Sequence, residues 1–308
     1  MNRLLGIVGP TGVGKSYMGI QLAQSLSGEI VNADSRQVYR FMDIGTAKPT
    51  PQERAIVPHH VIDVVSPNEN FSLAQYQQLA VRAIEDIQQR GKLPIVVGGS
   101  GQYVWSVLEG WGIPQVAPNP ELRQELEERA DRGEGEKLHE ELSDVDPEAA
   151  QRIDPRNVRR TIRALEVFNE TETPISQLQR MEAPPSEIFV IGLTADREEL
   201  YRRIDARVDR MIELGLVDEV KRLMSRGFDF NMPALSSIGY RQIGHYLSDE
   251  LTLPGAIQQI KFETHRFARQ QYTWFRLDDD RIHWFDIQRT GDAQIMGPLN
   301  RFLRGSSQ

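Results

Sequence analysis

The chain opens on short apolar runs alternating with amphipathic stretches. Residues 3–9, RLLGIVG, are an apolar run closed by glycine, the pattern of a parallel strand covered on both faces. Residues 15–26 then place Met18, Leu22 and Leu26 on one side of a helix. GEIVNAD, ending at Asp34, reads as a second strand, and HVIDVVS as a third. From Ser72 to Arg90 the spacing is helical, with a serine cap at its start and Gly91 as its stop. KLPIVVGGSGQY is a strand that leads through a glycine-rich turn into another helix. Strands alternating with helices predict an α/β fold, a parallel sheet flanked by helices.

The alternation breaks at WGIPQVAPNPELRQ, where Pro114, Pro118 and Pro120 crowd together. From there to about residue 185 the pattern is helical without strand signals. APPSEIFVIGLT then returns to an apolar strand, followed by long helical patterns. The predicted organisation is a core over 1–114, an all-helical insertion over 115–185 and a second core segment over 186–308, with the RGSSQ tail disordered. Trp274, Phe275, Trp284 and Phe285 lie on alternating apolar segments and are assigned to the core.

Composition narrows the class. The 308 residues contain no cysteine, which excludes disulfides, thiolate metal sites and a cysteine nucleophile, and fits a reducing cytosol. No apolar run reaches the roughly 20 residues that span a bilayer, and the N-terminus shows no signal-peptide pattern. The net charge of −8 argues against nucleic acid until its distribution is considered. Residues 114–149 hold 4 basic and 12 acidic residues, whereas Arg152–Arg163 hold five arginines and one aspartate. Arg197–Arg210 and KFETHRFARQQYTWFR are further basic stretches. Local patches of this kind decide binding to a polyanion; taken singly, each also fits a solvated helix face.

The strongest chemical signal is Gly9–Ser16. Gly9, Gly14, Lys15 and Ser16 match G-x-x-x-x-G-K-[ST] between a predicted strand and a predicted helix. The whole loop (Gly9, Pro10, Thr11, Gly12, Val13, Gly14, Lys15, Ser16) is the expected phosphate cradle. Its backbone N–H groups and the helix N-terminus face the anion, Lys15 adds charge, and the Ser16 hydroxyl suits Mg²⁺. The motif alone fits ATP equally well. However, the LPIVV strand ends in Gly98-Gly99, with no carboxylate for the metal of an ATPase. Instead, NADSRQVYR follows the second strand and brings Asp34 toward the loop from the neighbouring strand, as general base, metal partner or simple turn aspartate.

GPTGVGKS, NADSRQVYRFMDIGTAKPT, PHHVIDVVSPNENFS, VVGGSGQY, SSIGYRQ and RQQYTWFR occur in this order, from Gly9 to about Trp284. Together they resemble the tRNA dimethylallyltransferases. The resemblance implies transfer of a dimethylallyl group from dimethylallyl diphosphate to N6 of the adenine 3′ of the anticodon, with Mg²⁺ as cofactor. The loop then holds a diphosphate leaving group rather than ATP. By the same resemblance Asp34 is the base, Thr11 lies by the diphosphate bridge and Arg207 contacts the diphosphate. Asp34, Ser35, Arg36 and Gln37 meet the target nucleotide. Ser100, Arg123, Arg159, Arg160, Arg163, Ser236, Gly239, Tyr240 and Arg241 line the surface for the tRNA anticodon stem-loop, from which the acidic 114–149 stretch faces away. The expected protein is a cytoplasmic monomer without membrane contact.

The chain departs from the family pattern at Ser100, where threonine is frequent, at Ser236, where some members have arginine, and at Arg269-Gln270, where many have Lys-Arg. Three other classes share single features: a P-loop kinase with the insertion as lid, a non-catalytic RNA-binding protein, and an adenylate isopentenyltransferase. Lys15, Ser16 and Asp34 together speak against the second, and the arginine-rich insertion against the third.

Overall fold

The computed structural model describes residues 2–117, 119–179, 181, 182, 184 and 186–305. Pro118, the 180, 183 and 185 positions near the predicted boundary, and the tail from 306 lie outside them. The chain divides into two compact units, residues 1–108 with 185–308, and residues 109–184. The helical unit thus begins at Glu109 rather than at 115.

The larger unit runs β1 (Asn2–Val8), α1 (Lys15–Ser25), β2 (Gly28–Asn32), α2 (Pro51–Ile56), β3 (His59–His60), α3 (Leu73–Gln89), β4 (Leu93–Val97) and α4 (Gly101–Leu108). The smaller unit contributes α5 (Pro120–Arg129), a π-helical turn, α6 (Gly135–Val145), α7 (Pro147–Arg152), α8 (Val158–Thr171) and α9 (Ile175–Leu178). The larger unit then resumes with β5 (Ser186–Thr194), α10 (Arg197–Glu213), α11 (Leu216–Ser225), α12 (Tyr240–Leu247), α13 (Leu253–Gln271), β6 (Ile282–Asp286) and α14 (Asp292–Arg304).

Among the described residues, six strands form one parallel sheet in the order β3-β2-β4-β1-β5-β6. The central strands bury both faces, which explains their continuous apolar runs: Leu4, Leu5, Ile7, Val8, Ile95, Val96 and Ile191 have almost no exposed surface. Each such side chain contributes about 1.5–3 kcal/mol by leaving water. α3 packs on this sheet. It starts at the predicted Ser72, whose hydroxyl accepts from the Gln75 N–H while Gln75 reaches back to the Ser72 N–H.

Two expectations change. HVIDVVS is not a strand beyond His60, because Val61 and Asp63 adopt left-handed φ of 59° and 57°, which no ladder accommodates. Nor is β2 the neighbour of β1, since β4 lies between them. Asp34 still reaches the phosphate loop because β1, β2 and β4 all end at the same carboxyl edge of the sheet.

Of the aromatic residues assigned to the core, only Phe275 is fully buried. Trp274 is 37% exposed, and Trp284 and Phe285 are half-buried on the edge strand β6.

Every regular element described in the smaller unit is helical. Its apolar residues gather in two clusters, one around Leu142, Val167 and Ala164, the other around Leu126, Leu138 and Ile162.

Candidate active site

The loop after β1 turns through Gly9, Gly12 and Gly14, with φ of 139°, 85° and 108°. A Cβ on Gly9 would stand 2.3 Å from the Leu193 carbonyl oxygen, so the loop lies directly against the end of β5. Thr11, Gly12, Gly14, Lys15 and Ser16 line a cavity of about 340 Å³ with Asn32, Asp34, Gly98, Gly99 and Arg207. Gly9, Pro10 and Val13 shape the loop from behind: the Pro10 carbonyl accepts from Lys15 Nζ at 2.9 Å, and Val13 is buried.

Lys15 keeps one face open to this cavity, yet its surroundings are dense. Burial, with the nearby Arg207 charge, lowers its ammonium pKa to about 7, while Asp34 pulls the other way. Arg207 projects from α10 and donates to Thr11 Oγ1 at 3.0 Å. Burial lowers the Arg207 pKa and Asp34 offsets part of that. Lys15 and Arg207 crowd one small cavity against the single carboxylate of Asp34, and this partly balanced positive charge favours binding of an anion.

Asp34 is half-buried just beyond β2. Its Oδ1 accepts from the Arg36 N–H at 2.8 Å, so it does form the Asx turn that an Asp-Ser pair suggests, and it lines the cavity as well. Ser100 Oγ accepts from the Ser35 N–H at 2.9 Å.

A second cavity of about 410 Å³ adjoins the first. Thr11, Asp34, Ser35, Arg36, Ser100, Arg207, Ser236, Gly239, Tyr240 and Arg241 all line it, so the structure gathers these expected residues from separated segments of the larger unit. Arg36 donates to the Pro233 carbonyl at 3.0 Å, and Arg241 pairs with Glu263 at 2.6 Å. Gln37 is buried beneath, donating to the carbonyls of Thr46 and Ala47 at 3.1 and 3.2 Å, and faces the first cavity only.

The remaining expected residues belong to the helical unit, and they fall into two kinds. Arg159 and Arg160 are exposed on α8. Arg123 and Arg163 instead converge on the buried Glu166, at 2.7 and 2.6 Å, and Arg163 also donates to the Val116 carbonyl. Burial alone pushes the Glu166 carboxyl up, but the hydrogen bonds from Arg163, Arg123 and the Asn119 N–H hold it below the usual carboxylate range. These two arginines therefore serve at least a structural purpose, since Glu166 buried alone would be strongly unfavourable.

Two further residues build the site without having been singled out in the sequence. Gln271, 4% exposed at the end of α13, accepts from the Thr11 N–H at 2.7 Å and donates to the Gly99 carbonyl at 2.8 Å. A Cβ on Gly99 would fall 2.2 Å from Gln271 Nε2, so this clasp requires glycine. Glu219 on α11 is 3% exposed and accepts from the N–H groups of Asp43, Ile44 and Gly45 at 3.0, 2.8 and 3.1 Å and from the Tyr240 hydroxyl at 2.6 Å. It thereby fixes two walls of the second cavity. The sequence carried a signal for it: Leu216, Val220 and Leu223 mark the apolar stripe of α11, and Glu219 lies on that stripe.

The IPP transferase family model matches residues 37–278. The tRNA dimethylallyltransferase of Roseiflexus castenholzii is 55% identical over 273 residues, 89% of each chain. That of Thermomicrobium roseum is 51% identical over 305 residues, 99% of this chain and 92% of the relative. Among solved structures, a full-length tRNA isopentenylpyrophosphate transferase from Bacillus halodurans aligns with a TM-score of 0.72 and 41% identity, covering 99% of this chain and 96% of that one. A eukaryotic dimethylallyltransferase acting on tRNA aligns with a TM-score of 0.85 and 29% identity, covering 99% and 80%.

Proposed function

The chain belongs to the IPP transferase family, and on that premise we propose that it transfers the dimethylallyl group of dimethylallyl diphosphate to N6 of the adenine 3′ of the anticodon in tRNA, releasing diphosphate. The observation that carries the reading is the pair of adjoining cavities, one ringed by the phosphate loop, the other by polar residues of separated segments, with Thr11, Asp34 and Arg207 common to both. A group-transfer enzyme needs such a junction between leaving group and acceptor.

In this reading the diphosphate lies in the loop against its N–H groups, Lys15 and Arg207. As the allylic C–O bond breaks, its electron pair leaves with the diphosphate, and the cations offset the growing charge. The acceptor nitrogen is a weak nucleophile because its lone pair is delocalised into the ring. Positioning in line with the allylic carbon and loss of a proton to Asp34 bring it to reaction. Arg207 holds Thr11 in place through their hydrogen bond, and Gln271 holds the loop N–H.

The cavity suits Mg²⁺ through Ser16, which lines it beside Asp34 and Asn32. Among the described residues no three His, Cys, Asp or Glu side chains cluster as a self-sufficient metal site. The phosphate oxygens would therefore supply most ligands, and the ion would add charge neutralisation to the leaving group.

The exposed Arg159 and Arg160 suit phosphates of the anticodon stem-loop. The adenine must leave its stack to enter the second cavity, as bases do in other base-modifying enzymes. We extend the reading to a cytoplasmic monomer; among the described residues no helix is long and apolar enough to cross a membrane.

The test is incubation with radiolabelled dimethylallyl diphosphate and unmodified tRNA, followed by nucleoside analysis. Label in N6-dimethylallyladenosine from the position 3′ of the anticodon supports the reading. Label on free AMP in preference to tRNA, or no incorporation, refutes it.

A further inference from the structure

Among the described residues, four line both cavities: Thr11, Asp34, Arg207 and Phe267. Three are polar and have roles in the reaction above. Phe267 is the one apolar side chain at the junction. It lies on α13, one helical turn before Gln271, whose bonds to Thr11 and Gly99 fasten that helix to the phosphate loop. Ile260, Glu263, Thr264, Phe267 and Gln271 follow three- and four-residue spacing, which places them on one helix face, and each lines one cavity or the other. Phe267 is 40% exposed, whereas the adjacent Ala268 is fully buried. The uncovered part of this ring faces both cavities, where bound substrates would meet it.

We infer that Phe267 is an aromatic wall against which the dimethylallyl group passes from the diphosphate to the acceptor nitrogen. The inference rests on the reaction proposed above. When the C1–O bond breaks, its electron pair goes to the diphosphate and the dimethylallyl carbons take on positive charge. The face of an aromatic ring is electron-rich and attracts a cation held against it. Lys15 and Arg207 cannot serve here, because they share that positive sign. The N6 lone pair then forms the C1–N bond and the N6 proton passes to Asp34. If water reaches C1 first, a C1–O bond to water forms, a proton is released to solvent, and the products are dimethylallyl alcohol and diphosphate. The ring therefore acts on two quantities, the rate of bond breaking and the partition between transfer and hydrolysis.

The experiment compares wild type, Phe267→Leu and Phe267→Ala with dimethylallyl diphosphate and unmodified tRNA. It measures modified nucleoside, dimethylallyl alcohol, the Kd for the diphosphate and the Tm. Prenylated nucleoside from the wild type establishes the reaction independently of Phe267; its absence overturns the reaction and the inference together. Phe267→Leu keeps an apolar shield without the ring face, so transfer slows about threefold to tenfold with little alcohol. Phe267→Ala slows transfer further and raises the alcohol fraction, while Kd and Tm stay at wild-type values. Unchanged kcat and partition in Phe267→Ala overturn the inference. A rise confined to the KM for tRNA overturns it as well, by placing the ring against the acceptor base.

Discussion

The two cavities, proposed above as the leaving-group half and the acceptor half of the site, are built by different means. The phosphate loop is one stretch of eight residues, and its three left-handed positions are all glycine. The acceptor half draws on 34–36, 45–46, 236–241 and 260–267, and the segment beside it adopts left-handed φ at Phe41, Ala47, Val61 and Asp63. Non-glycine residues held there cost about 1–2 kcal/mol each. The first conformation is therefore inexpensive for its own sequence, whereas the second persists only because other elements hold it.

Those holds are visible. Lys48, its side chain fully buried, donates to the Tyr39 carbonyl, Asp43 and Asp63 at 2.8, 2.7 and 2.6 Å. Asn32 donates to the Val61 carbonyl at 3.0 Å. Glu219 takes the N–H groups of residues 43–45. The phosphate-loop conformation can thus be written locally, while the wall of the second cavity is clamped from a distance.

The largest test of this division is Asp34→Asn, which keeps the Asx turn and removes the proposed proton acceptor. It should lower kcat by about 10² to 10⁴ while leaving affinity for dimethylallyl diphosphate near normal, measured by single-turnover transfer at saturating tRNA. Loss of diphosphate binding with intact transfer would move Asp34 into the leaving-group half.

The next concerns Lys15. Its pKa is about 7 in the free protein, and a bound diphosphate raises it. Above pH 7 the complex then carries more protons than the free protein, so affinity falls as pH rises toward the bound value, by up to about tenfold per unit. Titration calorimetry in two buffers should record proton uptake at pH 8. Lys15→Arg should flatten the dependence; a dependence retained in that variant assigns it to another group.

Glu219→Ala strips the acceptor from three partly buried N–H groups and from the buried Tyr240 hydroxyl. At about 1–3 kcal/mol for a buried donor left unsatisfied, and less for the three N–H groups that water can reach, stability should drop by about 2–4 kcal/mol in urea unfolding. Among variants that remain folded, Tyr240→Phe should raise the KM for tRNA more than that for the diphosphate. Equal effects on both substrates would dissolve the boundary between the halves.

The smallest effect belongs to the helical unit. Replacing the exposed Arg159 and Arg160 with alanine should reduce the log–log salt slope of tRNA binding by roughly 0.7 to 0.9 for each phosphate no longer neutralised, with stability unchanged. Arg123→Ala should instead destabilise, because it removes one of the two guanidinium partners of buried Glu166. An unchanged slope in the double variant removes that patch from the tRNA surface.

Local sequence was enough for the parallel sheet, the capped helix at Ser72, the helical character of the insertion expected over 115–185, and the phosphate loop with Lys15 and Ser16. All of these follow from local periodicity, caps and glycine positions, which act over a few residues. The sequence also pointed to Asp34, through its place at the carboxyl end of the second strand, and to Ser100 and the 236–241 segment, through an ordered resemblance rather than through local physics. Packing of distant elements settled the rest. It inserted β4 between β1 and β2, ended the third strand at His60, and turned Arg123 and Arg163 inward to Glu166. It joined Thr11 to Gln271 across 260 positions and Ile44 to Glu219 across 175. Contacts at such separation depend on how whole elements pack, and a buried polar side chain shows its purpose only when its partners stand beside it.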